Sequence, residues 1–417
     1  MRIAMLSVHS SPLARLGGKE AGGMNVYVRE LALELGRNGA TVDIFTRSQD
    51  RIAPTIVPLG MGVRVIHLHT GPSAPYDKNW VLTYLPEFVS RVRCFADGQD
   101  LAYDMIHSHY WLSGEAALRL RRSWGVPAVH MFHTLGAMKN SVARSAEETE
   151  TSQRIALERR LLQEMDVVVA ATPLDKAQMI GNYNADAERI HVIPCGVDLR
   201  HFYPRPQAAA RERLGLHPQT RYIVCVGRME PLKGMDALIR ALALVREPGQ
   251  QAEVLLIGGE NEPHAERWNN EQQRLATIRR ELGLQPAVHF LGAQSHERLA
   301  DYYAAADVVA VPSHYESFGM VALEALACGI PVVASNVGGL AMTIEDGKSG
   351  LLVPPNDPVA LANNITMLLE NEARRQAIGH HARLRALNYG WGSIARRVMR
   401  LYGDLIERRT RIRRIGA

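Results

Sequence analysis

Two carboxylates, Glu316 and Glu324, frame the stretch Glu316-Ser-Phe-Gly-Met-Val-Ala-Leu-Glu324-Ala-Leu-Ala-Cys-Gly329. From Met320 to Cys328 the segment has the composition of an apolar helix with one charge in it, Glu324, one turn beyond Val321 and beside Ala325 and Cys328. A buried carboxylate without a partner is costly, so Glu324 calls for one, and a hydroxyl-rich ligand would supply it. Glu316 stands in the loop before the helix, where the amides of Ser317, Phe318 and Gly319 are open to a ligand. Both carboxylates and these amides can face one polar molecule, and sugar hydroxyls suit them. The competing assignment is a Glu324 tied to an internal Arg and a Glu316 on the surface.

Two cations form a second group. Gly227-Arg-Met-Glu-Pro-Leu-Lys-Gly234 follows a strand and precedes a helix marked by Leu238, Ala241, Leu242 and Val245. Arg228 and Lys233 therefore sit at the carboxyl edge of a sheet, where a fork and a point charge can stabilise a departing diphosphate without a metal. A third element is the loop after His9-Ser-Ser-Pro12, which carries Gly17, Gly18, Gly22 and Gly23 just before a helix starting near Asn25. Glycines and a following helix N-terminus can wrap a phosphate, although such a loop is also compatible with a plain surface turn.

The elements that position these residues alternate along the chain. Strand-like runs at 2–8, 41–46, 63–68, 104–107, 128–132 and 167–171 are separated by helical patterns. In the first helix Val28, Leu31, Ala32 and Leu35 fall on one face, and Gly36 and Gly39 are expected to stop it. A second series follows at 222–226, 254–257, 288–291, 308–311, 331–334 and 351–353. Between them, Ile193-Pro-Cys-Gly-Val-Asp198 and Tyr203-Pro-Arg-Pro206 break periodicity and read as the linker. The expected fold is α/β, with two Rossmann-like, doubly wound domains facing a central cleft. Residues 1–198 would form the first domain and 199–390 the second.

At 417 residues the chain exceeds what one core usually supports. Its 47% hydrophobic and 22% charged content fits a globular protein. No apolar run approaches the roughly 20 residues of a transmembrane helix, and the start lacks a convincing signal-peptide cleavage site. Cys94, Cys195, Cys225 and Cys328 lie far apart with no C-x-x-C, so neither a zinc site nor a disulfide framework is expected and the cytoplasm fits. Much of the net charge of +5 comes from five arginines between Arg408 and Arg414. Without interleaved aromatics that run reads as a solvated helix end and not as a nucleic-acid site.

The set Arg228, Lys233 and the pair Glu316 and Glu324 resembles the signature of the family 4 retaining glycosyltransferases, over essentially the full length. That resemblance implies the GT-B fold. Glu20-Ala-Gly-Gly-Met-Asn-Val-Tyr-Val28, His107-Ser-His-Tyr-Trp-Leu-Ser-Gly114 and His133-Thr-Leu135 are most similar to members that use inositol phosphate in mycothiol biosynthesis. By resemblance, Glu324 would hold the ribose, Glu316 the donor sugar, Arg228 and Lys233 the diphosphate, Gly23 a phosphate through its backbone, and Gln294 the uracil. His133 would touch the donor sugar, and His133, Arg228, Lys233 and Glu316 would be the catalytic set. Lys78, Tyr110, Thr134 and Arg154 would grip an acceptor phosphate, with His9 and Asn25 near its ring. Lys78 and Arg154, taken singly, look like surface charges. The C-terminal helix from about Trp391, in 391–417, would cross back to the first domain.

The resemblance further implies retention of configuration and no cofactor or metal. The donor would be a UDP-sugar, first UDP-N-acetylglucosamine, and the acceptor 1D-myo-inositol 3-phosphate; a homodimer is compatible. Two departures bear on the acceptor. Glu20 stands where an aspartate is expected, and Asn140 to Glu164 differs, with Arg154-Ile-Ala-Leu-Glu158 closer in spacing to sucrose-phosphate synthases. The alternative is therefore transfer of glucose from UDP-glucose to fructose 6-phosphate. A sugar-nucleotide epimerase would not need the phosphate clamp, and a non-catalytic nucleotide-binding protein would not need Arg228, Lys233, Glu316 and Glu324 all intact.

Overall fold

A computed structural model describes residues 1–14, 22–50, 55–73, 80–245, 252–259 and 268–415. The chain divides into two compact units. The first comprises 1–14, 23–194 and everything from Trp391 on; the second contains the uninterrupted run Cys195–Gly390.

In chain order unit 1 carries β1 (Arg2–Leu6), α1 (Gly23–Arg37), β2 (Thr41–Ser48), β3 (Ile56–Gly60), β4 (Val63–His69) and α2 (Val81–Gly98). It continues with β5 (Met105–His109), α3 (Trp111–Trp124), β6 (Ala128–Met131), α4 (Gly136–Asn140), α5 (Ser152–Glu164), β7 (Val167–Ala170), α6 (Pro173–Tyr183) and β8 (Ile190–Val192). The sheet order is β3-β4-β2-β1-β5-β6-β7-β8, parallel except for β3, which runs antiparallel to β4. Ile3 pairs with Val42 on one side and Met105 on the other, so β1 lies where the winding reverses. In such sheets ligands bind outside the carboxyl ends of the strands at that switch point.

Two strands escape the sequence pattern. β3 contains Pro58, has a register shift between Pro58 and Gly60, and lies at the sheet's edge, where a missing N–H is tolerated. β8 is three residues long. The expected stop at Gly36 is also corrected: α1 runs through it to Arg37. Gly36 serves a close approach instead, since a Cβ there would stand 2.4 Å from the Met61 carbonyl oxygen. The chain turns at Gly39, with φ 86°.

Unit 2 carries α7 (Gln207–Leu214), β9 (Arg221–Val226), α8 (Met235–Val245), β10 (Ala252–Ile257), α9 (Asn270–Glu281), β11 (Val288–Phe290), α10 (His296–Ala305) and β12 (Val308–Val311). Then come α11 (Met320–Ala327), β13 (Val332–Ser335), α12 (Leu340–Thr343), β14 (Leu351–Val353), α13 (Pro358–Glu370) and α14 (Glu372–Ala386). All six strands are parallel, in the order β11-β10-β9-β12-β13-β14. The switch point falls between β9 and β12. Ile223, Val254, Leu256, Val308 and Val333 of the sheet pack with Leu238, Leu242, Ile365 and Leu368 of α8 and α13 in one core.

The last helix, α15 (Trp391–Ile415), belongs to unit 1. Trp391 sets its ring edge-on to Tyr27 at 5.3 Å, and Arg397 Nη2 donates to the Val192 carbonyl at 2.9 Å. The fully buried Tyr402 hydroxyl meets His107 Nδ1 at 2.6 Å. Among the described residues no helix is long and apolar enough to cross a membrane.

Candidate active site

In unit 2 the donor candidates converge on the carboxyl edge of the sheet. Lys233 follows β9 and Glu316 follows β12, and Lys233 Nζ reaches Glu316 Oε2 at 2.5 Å, each side chain 21% exposed. They line one pocket with Cys225, Val226, Val311, Pro312, Ser313 and Val321, at the switch point. Gly234 is required beside Lys233: its φ is 62°, and a Cβ would stand 2.1 Å from the Pro312 carbonyl oxygen. Arg228 lies on the same loop, its Nη1 2.8 Å from Glu230 Oε1.

The Glu316 backbone is held by a turn that the sequence reading did not single out. Gly339 N–H donates to the Glu316 carbonyl at 2.7 Å, and a Cβ on Gly338 would stand 2.0 Å from that oxygen. Ser317 Oγ donates to the Tyr315 hydroxyl at 3.2 Å, and the Phe318 carbonyl accepts from Thr343 Oγ1 at 2.9 Å. Phe318 is buried, so any part it takes in ligand binding is through its backbone. Gly319, with φ 88°, caps α11. Glu324 is buried on α11 as its neighbours required, and Tyr303 donates to its Oε2 at 2.8 Å while His296 Nε2 lies 3.7 Å from Oε1. Burial and the Glu324 charge together hold the Tyr303 phenol well above its ordinary pKa. Gln294 sits in the loop after β11 and donates from Nε2 to the Leu291 carbonyl at 2.7 Å.

In unit 1 the acceptor candidates surround the ends of β1, β5 and β6. His9 stacks obliquely on Tyr110 with ring centroids 4.2 Å apart. Asn25 is buried and donates from Nδ2 to Ser10 Oγ at 2.6 Å and to the Ser11 carbonyl at 2.7 Å, holding the loop that follows His9. Gly23 opens α1 in an exposed position. Lys78 lies outside the described residues, as do Gly17, Gly18 and Glu20.

His133 follows β6 in the left-handed region, φ 61°, a cost its surroundings must offset and one that clusters at functional sites. Its Nε2 lies 3.1 Å from Nδ1 of the buried His109. His109 Nε2 has no hydrogen-bond partner among the described residues. A buried orphan N–H costs more than an orphan lone pair, so the proton belongs on His109 Nδ1 and is donated to His133 Nε2. That leaves the His133 proton on Nδ1. Burial, reinforced by His107, His130 and His9, holds His133 well below its ordinary pKa, so it acts as a neutral imidazole.

Arg154 is not the surface charge that its sequence context suggests. Its side chain is 0% exposed. Nε donates to Glu158 Oε1 at 2.7 Å, Nη1 to the Tyr110 hydroxyl at 3.1 Å, and Nη2 to the Thr134 carbonyl and Oγ1 at 2.9 and 3.3 Å. Nη1 also lies 2.8 Å from Glu150 Oε1. The guanidinium carbon sits 4.9 Å from the Tyr110 ring centroid. Tyr110, with φ 73°, is another residue held in a sparsely populated conformation. The structure therefore brings Tyr110, Thr134 and Arg154 together. It adds Glu158, which the sequence reading named only for its spacing from Arg154, and Glu150 and Lys139, which it passed over, although Glu150 also lies four residues from Arg154.

Two Rossmann-like parallel-sheet units in one chain, each with polar side chains gathered at its switch point, fit the GT-B fold. Residues 21–201 match the family model described as Glycosyltransferase Family 4, and 206–385 that described as Glycosyl transferases group 1. The chain is 40% identical to a D-inositol 3-phosphate glycosyltransferase of Corynebacterium jeikeium, covering 97% of each. It is 41% identical to another such enzyme of Nocardia farcinica, covering 96% of this chain and 89% of that one. The chain belongs to glycosyltransferase family 4 and is a glycosyltransferase. A sucrose-phosphate synthase from Thermosynechococcus elongatus superposes with a TM-score of 0.90 at 36% identity, over 97% of this chain and 99% of that one. Anabaena HepE, solved in complex with UDP and glucose, shares the fold with a TM-score of 0.74 at 22% identity, over 97% and 100% of the chains.

Proposed function

We infer that this enzyme transfers a sugar with retention from a UDP-sugar, UDP-N-acetylglucosamine in first place, to a phosphorylated acceptor, 1D-myo-inositol 3-phosphate in first place. The observation that carries the reading is the gathering of Tyr110, Thr134 and the Arg154 guanidinium in one hydrogen-bonded group, in a chain 40% identical to enzymes named for an inositol phosphate. A planar fork with two hydroxyls suits a phosphate.

In the donor half, Lys233 with Arg228 would stabilise charge as the bond from the anomeric carbon to the diphosphate oxygen breaks. The new bond forms from an acceptor hydroxyl to the same face of that carbon, and the hydroxyl proton passes to the departing phosphate oxygen. Glu316 is engaged by Lys233, which favours a role in orienting the sugar over one as a covalent nucleophile. Neutral His133, with its proton on Nδ1, would orient a donor-sugar hydroxyl, and Glu324 the ribose. Gly23, Gln294 and the amides of Ser317 to Gly319 complete the donor contacts, while His9, Asn25 and Lys78 flank the acceptor.

The likeness to a sucrose-phosphate synthase supports a second reading, glucose from UDP-glucose to fructose 6-phosphate. Incubating the protein with each donor and each acceptor, and measuring UDP release and product mass, separates the two. Turnover of UDP-N-acetylglucosamine with inositol 3-phosphate supports the first reading; UDP-glucose with fructose 6-phosphate supports the second. UDP release that does not depend on a phosphorylated acceptor refutes both.

A further inference from the structure

The chain just ahead of α5 puts a carboxylate where an acceptor anion would go. Glu150 N–H donates to Asn140 Oδ1 at 2.7 Å and its carbonyl accepts from Asn140 Nδ2 at 3.1 Å, so its backbone is pinned. Its side chain is 6% exposed, and a single oxygen, Oε1, contacts both Arg154 Nη1 and Lys139 Nζ. One oxygen held between two cations is how a protein grips an oxyanion. Glu158 is placed differently: Arg154 Nε, the Gly136 amide and the Tyr183 hydroxyl all converge on it from inside the fold.

Charge and access agree. Among the described residues that meet here, the charges of Arg154 and Lys139 are matched by those of Glu150 and Glu158. Arg154 is closed off, and any phosphate that touches it requires a neighbour to move. Glu150 is the neighbour able to do so: it precedes Thr151, the residue whose hydroxyl caps α5 by accepting from Arg154 N–H at 3.2 Å, so no helical geometry fixes its side chain. Rotation of that side chain would take its Oε1 away from Arg154 Nη1 and Lys139 Nζ while Asn140 keeps the backbone in place.

We propose that Glu150 is a specificity-determining residue whose carboxylate occupies the seat of the acceptor's phosphate and is displaced when the acceptor binds. A neutral polyol cannot compete with it, a monoanion exchanges one charge for one, and a dianionic phosphate ester gains. The proposal rests on the phosphorylated-acceptor reading, and the test separates the two. KM is measured for the phosphorylated acceptor, for its unphosphorylated parent and for the UDP-sugar, in the wild type and in Glu150→Gln and Glu150→Asp, with thermal melts alongside.

Glu150→Gln lowers KM for the phosphorylated acceptor about tenfold, equivalent to about 1.4 kcal/mol, and leaves the donor KM unchanged. Glu150→Asp, which keeps the charge on a shorter arm, falls between. An unchanged or raised acceptor KM in both variants, with the wild type still favouring the phosphorylated compound, overturns this inference alone. A wild type that uses both acceptors equally overturns the phosphate seat and this inference with it.

Discussion

Replacing Arg154 with methionine separates its internal bonds from any contact with substrate. The side chain is fully buried and touches two carboxylates, Glu158 at 2.7 Å and Glu150 at 2.8 Å. Removing one partner of a buried ion pair typically costs about 3–5 kcal/mol because the other charge is left uncompensated. Here the orphans are partly served, since Glu150 keeps Lys139 and Glu158 keeps the Tyr183 hydroxyl and the Gly136 amide. The lower end, about 3 kcal/mol, is therefore expected. At about 2–4 °C per kcal/mol for a unit of this size, Tm falls by roughly 6–12 °C. Calorimetry of the full chain measures it. A second variant, Arg154→Met with Glu158→Met, removes the buried charge with its partner and should recover a substantial part of the loss, because an apolar pair of similar volume is often no worse than a buried ion pair. A single-variant Tm within about 2 °C of wild type would refute the reasoning, since it would mean that the carboxylates need no counter-charge.

Lys233→Ala should lower kcat by about 10²–10³-fold, the usual cost of removing one preorganised stabiliser of developing charge, with little change in Tm because the pair with Glu316 is partly exposed. A kcat within threefold of wild type in a steady-state assay would exclude that role. Gly338→Ala forces a Cβ to within 2.0 Å of the Glu316 carbonyl at φ 47° and should raise the donor KM roughly tenfold while sparing the acceptor KM; equal effects on both would show a general loss of fold. Burial pushes His107 and His130 down from 6.5 to about 3, so the unfolded chain binds more protons than the folded one between those values. Their neutral burial is therefore without penalty above about pH 6.5, and stability falls as pH drops from there towards 3. Denaturant midpoints measured from about pH 8 to about pH 5 should be level at first and then decline; a flat profile throughout would contradict it.

The sequence pattern reaches furthest where buried parallel strands are short, β-branched runs. β9, β12 and β13 of unit 2 stand out this way, and Glu324 stands out as one charge in an apolar helix. β3 does not, because Pro58 and an edge position remove both the run and the alternation. Pairings across the fold are the harder part. Lys233 and Glu316 are separated by 83 positions, and each looks like a loop residue until β9 and β12 are set side by side. Arg154 reads as a solvated helix residue because its burial is imposed by Tyr110 and Thr134, from the ends of two other strands. His109 gives no sign that it sets the tautomer of His133, since that depends on which of its nitrogens is left without a partner.

The return of α15 to unit 1 bears on the order in which the protein can be completed as it is made. All the strands of unit 2 fall in one continuous run, Cys195–Gly390, and are present as soon as that run has emerged. Unit 1 starts earlier yet finishes later: until Trp391 and Tyr402 arrive, Tyr27 lacks its edge contact and His107 Nδ1 its hydroxyl. The half translated first is thus the last to close, and its nascent sheet must wait, with that face uncovered, through the synthesis of a whole domain. Loss of the last helix would then register not in the unit next to it in sequence but in the histidine cluster of the opposite half.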